Sequence, residues 1–115
     1  MPDRNTCRIV NTTLPTARAA GTLAREIVDA RLAACAQHFP IHSVYRWKGA
    51  VESAAESMLV AKTTARLAPA LVAFVRERHP YELPEILVTR IDGGLPDYLR
   101  WIARETKDAG RAAPP

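Results

Sequence analysis

The chain has 115 residues, is 48% hydrophobic and 24% charged, and carries a net charge of +4. That is the size and composition of one globular domain, and no apolar run approaches the roughly 20 residues of a membrane span. Its basic residues are scattered among acidic ones, so a nucleic-acid stripe is not expected despite a pI near 9.5.

The elements follow in chain order. "RIVNTT" (8–13) is β-branched and reads as a short strand. Pro15 and Thr16 open a helix with Ala20, Leu23, Ala24, Ile27 and Val28 on one stripe, predicted to end near Arg31 or Leu32. Residues 35–47 are strand-like, with Pro40 favouring a bend or an edge position. "YRWKGAVE" (45–52) reads as a hairpin turn around Lys48 and Gly49, and "SMLVAKTT" (57–64) as the second arm.

Thr64 is a candidate N-cap for a second helix, with Leu67, Leu71, Phe74, Val75 and Arg78 on one side. Pro69 fits only its first turn, and Pro80 ends it by disfavouring helical backbone at His79. "EILVTRI" (85–91) is a strand, "DGG" (92–94) turns the chain, and Pro96 starts a last short helix. The order β-α-β-β-α-β-α is the ferredoxin-like α+β plan with one added helix. A single domain over 1–105 and a flexible tail over 106–115 are expected.

In that plan two helices cover one face of the sheet. Residues 58–61 and 86–88 are apolar at both parities, which implies burial on both faces. A short third helix cannot cover the rest, so a second copy of the chain is the simplest cover.

"RLAACAQHFP", "VYRWKG", "LVAKTT", "RHPYELPEI" and "DYLRWI" occur in this order between residues 31 and 102. They resemble the CutA family of divalent-cation tolerance proteins, a likeness running from about Ile9 to Ile102. The resemblance implies a homotrimer whose hairpin, here roughly 41–63, reaches across to neighbouring subunits. It implies a trimer similar in shape to the nitrogen-regulatory PII proteins, which bind small effectors at subunit clefts. It also implies tolerance of copper and other divalent metals. The family's copper ligands are a cysteine at the end of the first strand and two adjacent histidines before "PY". On this chain those positions are Thr12, Arg78 and His79, so one ligand of three is kept. Metal binding is therefore expected to be weak, with no cofactor required and Arg78 setting a cation beside His79.

Other candidates compete with that site. His79 also suits a cap on the second helix, bonding a terminal carbonyl. His38 and His42 are four residues apart, about 13 Å in an unbroken strand at about 3.3 Å per residue, too far to share one metal within a chain. Glu82 and Glu85 flank Pro84, either as partners of Arg or Lys or as site carboxylates. Lys62 lies in an apolar strand and needs a partner, with Glu82 or Glu85 the candidate. Trp47, Lys62, Tyr81, Glu82 and Glu85 together make a candidate ligand cleft between subunits. Tyr45, Tyr98 and Trp101 suit interface packing.

No nucleophile with a base, no phosphate loop and no HExxH motif points to an enzyme. Cys7 and Cys35 form no metal-binding pair and read as reduced thiols. The opening residues lack the apolar core of a secretory signal, so a cytoplasmic location is expected. The favoured reading is a cytoplasmic homotrimer of divalent-metal tolerance with weak copper contact. The alternative is a PII-like signalling or scaffolding trimer that binds a small anionic metabolite.

Overall fold

The computed structural model describes residues 6–107. It has β1 (Cys7–Leu14), α1 (Ala17–Asp29), β2 (Cys35–Trp47), β3 (Ala50–Thr64), α2 (Ala68–Arg78), β4 (Ile86–Arg90) and α3 (Pro96–Thr106). The four strands form one antiparallel sheet in the order β2-β3-β1-β4. This is the ferredoxin-like α+β architecture expected from the sequence, with α3 added.

The local chemistry explains the element ends. Thr16 caps α1 by accepting a hydrogen bond from the Ala19 amide at 3.0 Å. The stripe of Ala20, Leu23, Ala24 and Ile27 is buried. Val28 is not: it is 38% exposed, at the rim of the stripe. Helix α1 also stops earlier than expected, because Arg31 takes φ 60° and turns the chain after the Ala30 C-cap. Thr64 accepts from the Leu67 amide at 3.4 Å, but it caps a turn, and α2 begins only at Ala68 with Pro69 in its first turn. Leu67, Leu71 and Val75 are buried, whereas Arg78 is exposed. His79 is extended (φ −81°, ψ 136°), as a residue before proline must be, and ends α2.

Strand β2 passes through Pro40 without a break. It lies at the sheet edge, where the missing N–H costs no ladder bond. The β2–β3 turn places Lys48 at φ 50° and Gly49 at φ 85° between the paired residues Trp47 and Ala50. Two positive φ values make it a type I′ turn, whose twist matches the arms of a hairpin.

Paired residues share a face of the sheet. Val10, Leu59 and Ala61 lie on the face covered by α1 and α2, forming the core with Ile27, Leu71 and Val75. On the opposite face, α3 covers one end. Its Ile102 and Thr106 are fully buried, and Cys7 Sγ donates to the Leu99 carbonyl at 3.7 Å. Thr106, the first residue of the expected 106–115 tail, is thus part of the packed domain, and residues 108–115 of that tail lie outside the described residues.

The rest of that face carries Phe39, Met58, Val60 and Leu87. Phe39 is 48% exposed and Leu87 55%. Strands β1 and β4 end at Leu14 and Ile86, so the distal half of the β2–β3 hairpin projects beyond the sheet. The radius of gyration, 15.0 Å, accordingly exceeds the roughly 13 Å of a compact domain this size.

Candidate functional site

The segment after α2 runs beside the projecting hairpin. Pro80 and Pro84 stiffen it on either side of a bend at residues 81–83, and it is tied down at three places. His79 Nε2 lies 2.8 Å from the Thr13 carbonyl and 3.0 Å from Thr12 Oγ1. The Tyr81 amide donates to His79 Nδ1 at 3.2 Å. The Tyr81 hydroxyl donates to Glu56 Oε2 at 2.6 Å.

These bonds fix the state of the imidazole. Nδ1 accepts from a backbone amide, so Nε2 carries the proton and donates to the Thr13 carbonyl. Burial lowers the His79 pKa below its ordinary value, and Arg76 adds to this; the Thr13 carbonyl and Glu56 oppose it. His79 therefore joins α2 to β1 as a neutral ring. Its side chain bonds β1, not a terminal carbonyl of α2 as the capping reading supposed. The cation that bears on it is Arg76 rather than Arg78. Arg78 instead lies 3.6 Å from the Phe74 ring centroid and pairs with Glu26 and Glu77.

Tyr81 Oη is held protonated. Burial raises its pKa far above the usual phenol range, and the acceptor bond to Glu56 raises it further. The ring also stands 4.9 Å from that of His79, tilted by 52°. Tyr81 thus links α2, β1 and β3 through one loop.

A cleft of about 870 Å³ opens between this loop and the distal hairpin. Trp47, Tyr81, Glu82 and Glu85 line it, with Tyr45 and Glu56. Glu85 accepts from Asn11 Nδ2 at 3.2 Å, and Glu82 lies 3.8 Å from Lys48 Nζ. Four of the five residues expected in a ligand cleft are therefore together.

Lys62 is not among them. Its ammonium donates to Gln37 Oε1 at 2.6 Å, not to Glu82 or Glu85. The register explains this: Gln37 pairs with Val60, diagonal to Lys62 on the same face. The Glu82–Glu85 loop lies past the opposite end of β1.

His38 and His42 project from one face of β2, paired with Leu59 and Ala55, and both are exposed. His38 Nε2 stands near Gly21 of α1, 3.5 Å from where a β-carbon would sit. Among the described residues no group of three His, Cys, Asp or Glu side chains is placed to hold a metal ion. Cys7 and Cys35 are free thiols, and burial raises the Cys7 pKa. Tyr98 and Trp101 stack at 5.3 Å on α3, away from the cleft.

Glu56 and Lys48 were not singled out for the cleft by sequence. Glu56 shares strand parity with the cleft side of the hairpin, but its partner Tyr81 is 25 residues away. Nothing local marks that pair.

The sequence profile of the family described as CutA1 divalent ion tolerance protein matches residues 8–105. The chain belongs to the CutA1 family. It is 41% identical over 106 residues to Protein CutA of Mus musculus, covering 89% of this chain and 60% of the relative. It therefore spans little more than half the length of the mammalian relatives it matches. It is 39% identical to the divalent-cation tolerance protein CutA of Thermus thermophilus, covering 85% of this chain and 96% of that one.

CutA structures superpose closely. One from Archaeoglobus fulgidus, described as a periplasmic divalent cation tolerance protein, has TM-score 0.85 and 30% identity, covering 87% of this chain and 98% of that one. One from Synechococcus elongatus, complexed with Bis-Tris, has TM-score 0.83 and 35% identity, covering 90% and 97%. No helix of the described residues is long and apolar enough to cross a membrane.

Proposed function

We propose that this CutA1-family chain works as a cytoplasmic homotrimer in the response to divalent metal ions, with weak copper contact and no enzymatic step. What carries the reading is the family match across residues 8–105. The geometry bears on its strength. Of the three copper positions, this chain keeps His79, with Thr12 and Arg78 at the others. Both nitrogens of His79 already hold internal hydrogen bonds. A metal at either nitrogen must displace one of them. A lone imidazole is also far below the ligand count of a tight site.

The trimer is supported by the half-covered sheet. Phe39 and Leu87 are about half exposed on the uncovered face, and Val44 and Val51 are exposed on the other face of the projecting hairpin. The cytoplasmic assignment is supported by the two free thiols, which persist where disulfides are rare.

Calorimetric titration of copper into the full chain, with light scattering on the same sample, tests the proposal. Weak binding lost in His79→Ala and three chains per particle are the expected results. Loss in His38→Ala or His42→Ala instead moves the site to the hairpin. No heat above the buffer control removes direct metal contact as the mechanism, and a stable monomer removes the trimer.

A second reading has its own support: a PII-like trimer that binds a small molecule in the cleft beside Tyr81. The volume and aromatic lining suit such a ligand, and a relative is known complexed with Bis-Tris.

A further inference from the structure

The cleft combines rings with carboxylates. Tyr45, Trp47 and Tyr81 supply the aromatic surface, and Glu56, Glu82 and Glu85 the acids. Arg46 is the single basic residue among the lining residues. Glu56 is occupied by the Tyr81 hydroxyl, whereas in the single chain Glu82 and Glu85 are exposed, Glu82 meeting Lys48 and Glu85 accepting from Asn11.

One interaction at the rim shows what this surface attracts. Lys48, at the hairpin turn, places Nζ 5.4 Å from the Trp47 ring centroid and 3.8 Å from Glu82 Oε1. An ammonium of the chain itself thus sits between an aromatic face and a carboxylate of the cleft. Both charged side chains are at least 70% exposed, so solvent weakens the contact and leaves it exchangeable.

We propose that the cleft takes a small organic cation bearing one or more ammonium groups, with Lys48 as its built-in competitor. The proposal rests on the second reading above, that the cleft is a ligand site, and gives that ligand its charge class. Ring faces attract cations through their quadrupole. Three carboxylates outnumber the Arg46 guanidinium and the rim ammonium of Lys48, so the anionic metabolite expected from the PII comparison does not suit this lining. The incoming ammonium displaces Lys48 from Trp47 and Glu82. Glu85, three residues along the stiff Pro84 segment, offers a second carboxylate, so a diamine is the natural probe.

The test is calorimetric titration of the full chain near pH 7.5 with 1,4-diaminobutane and, separately, with succinate. Diamine binding is expected without succinate binding. Exposed ion pairs and cation–π contacts are individually weak, so Glu82→Gln should weaken the diamine about three- to tenfold. Lys48→Met should tighten it by about the same factor, because it removes the competitor. Both residues are exposed turn or loop positions, and circular dichroism confirms that the variants fold. Succinate binding that weakens in Lys48→Met overturns the cation assignment while leaving the cleft a ligand site. Diamine binding indifferent to both variants places the amine elsewhere and overturns the proposal. No binding of either probe overturns the proposal and counts against the cleft reading as well.

Discussion

The Tyr81 hydroxyl donates to Glu56 Oε2 at 2.6 Å, joining the loop after α2 to the base of the projecting hairpin. A bond from a neutral hydroxyl to a carboxylate is charge-assisted and contributes about 1.5–3 kcal/mol when well shielded. Tyr81 is only partly buried, so the lower end applies. Tyr81→Phe should lower unfolding stability by about 1.5 kcal/mol in a denaturant titration. The same bond sets an alkaline limit. The folded pKa is raised above the unfolded value near 10, so the stabilisation is complete below about pH 10 and is lost as pH climbs towards the folded pKa. In an ultraviolet titration Glu56→Gln should bring the ionisation of Tyr81 to lower pH. An unchanged Tyr81 titration in that variant would mean that Glu56 does not hold the phenol.

His79 sets the acid limit. Its folded pKa is depressed, so the neutral ring stabilises the fold above the unfolded value of about 6.5. That contribution is lost as pH falls through the lower folded pKa. A protonated ring has no lone pair on Nδ1 for the Tyr81 amide, so the loop end frees from α2. Melting temperatures measured from pH 7.5 down to pH 5 should fall for the wild type beyond the change seen in His79→Gln. Parallel curves for the two proteins would show that this ring is not the acid-sensitive group. Because protonation of Nδ1 takes up the lone pair a metal would use, copper affinity should also fall as the pH is lowered over the same window.

The hairpin turn offers a backbone test. Gly49 holds φ 85° with nothing within 4 Å of an added β-carbon, so space is not the constraint. Left-handed backbone itself costs an ordinary residue about 1–2 kcal/mol. Gly49→Ala should therefore destabilise by about 1 kcal/mol, while Lys48→Asn should be neutral or stabilising, since asparagine tolerates φ near 50°. Equal stabilities for wild type and Gly49→Ala in chemical unfolding would show that the turn relaxes to another type.

Element order was legible in the residues because its signals are local. The α1 stripe, the prolines around α2 and the Lys48–Gly49 turn each act within a few positions. The site was legible only in part, because its contacts are long-range. Trp47, Tyr81, Glu82 and Glu85 line one cleft of the single chain, whereas the partner that Lys62 meets within it is Gln37 across the ladder. The β2–β3 register decides that pairing, and parity alone does not reveal which neighbour is diagonal. Val28 was misplaced because the helical stripe says which way a side chain points, not how far the covering layer extends.

The uncovered sheet face leads to the last prediction. Leu87 lies on that face opposite Asn11, and neither α3 nor the α1–α2 layer reaches it. If neighbouring copies cover this face, each Leu87 buries its remaining half and contributes about 1–1.5 kcal/mol. The contribution repeats in every subunit. Leu87→Glu replaces it with a carboxylate that must be desolvated, a larger loss per chain. The fold of the single chain should survive, because the residue is already 55% exposed there. Light scattering should therefore give a smaller particle for Leu87→Glu than for the wild type, with native far-ultraviolet circular dichroism. Thr89→Glu, on the same face but at a polar position, should shift assembly less. A Leu87→Glu protein of unchanged mass would mean that the assembly covers the hairpin and leaves this face in water.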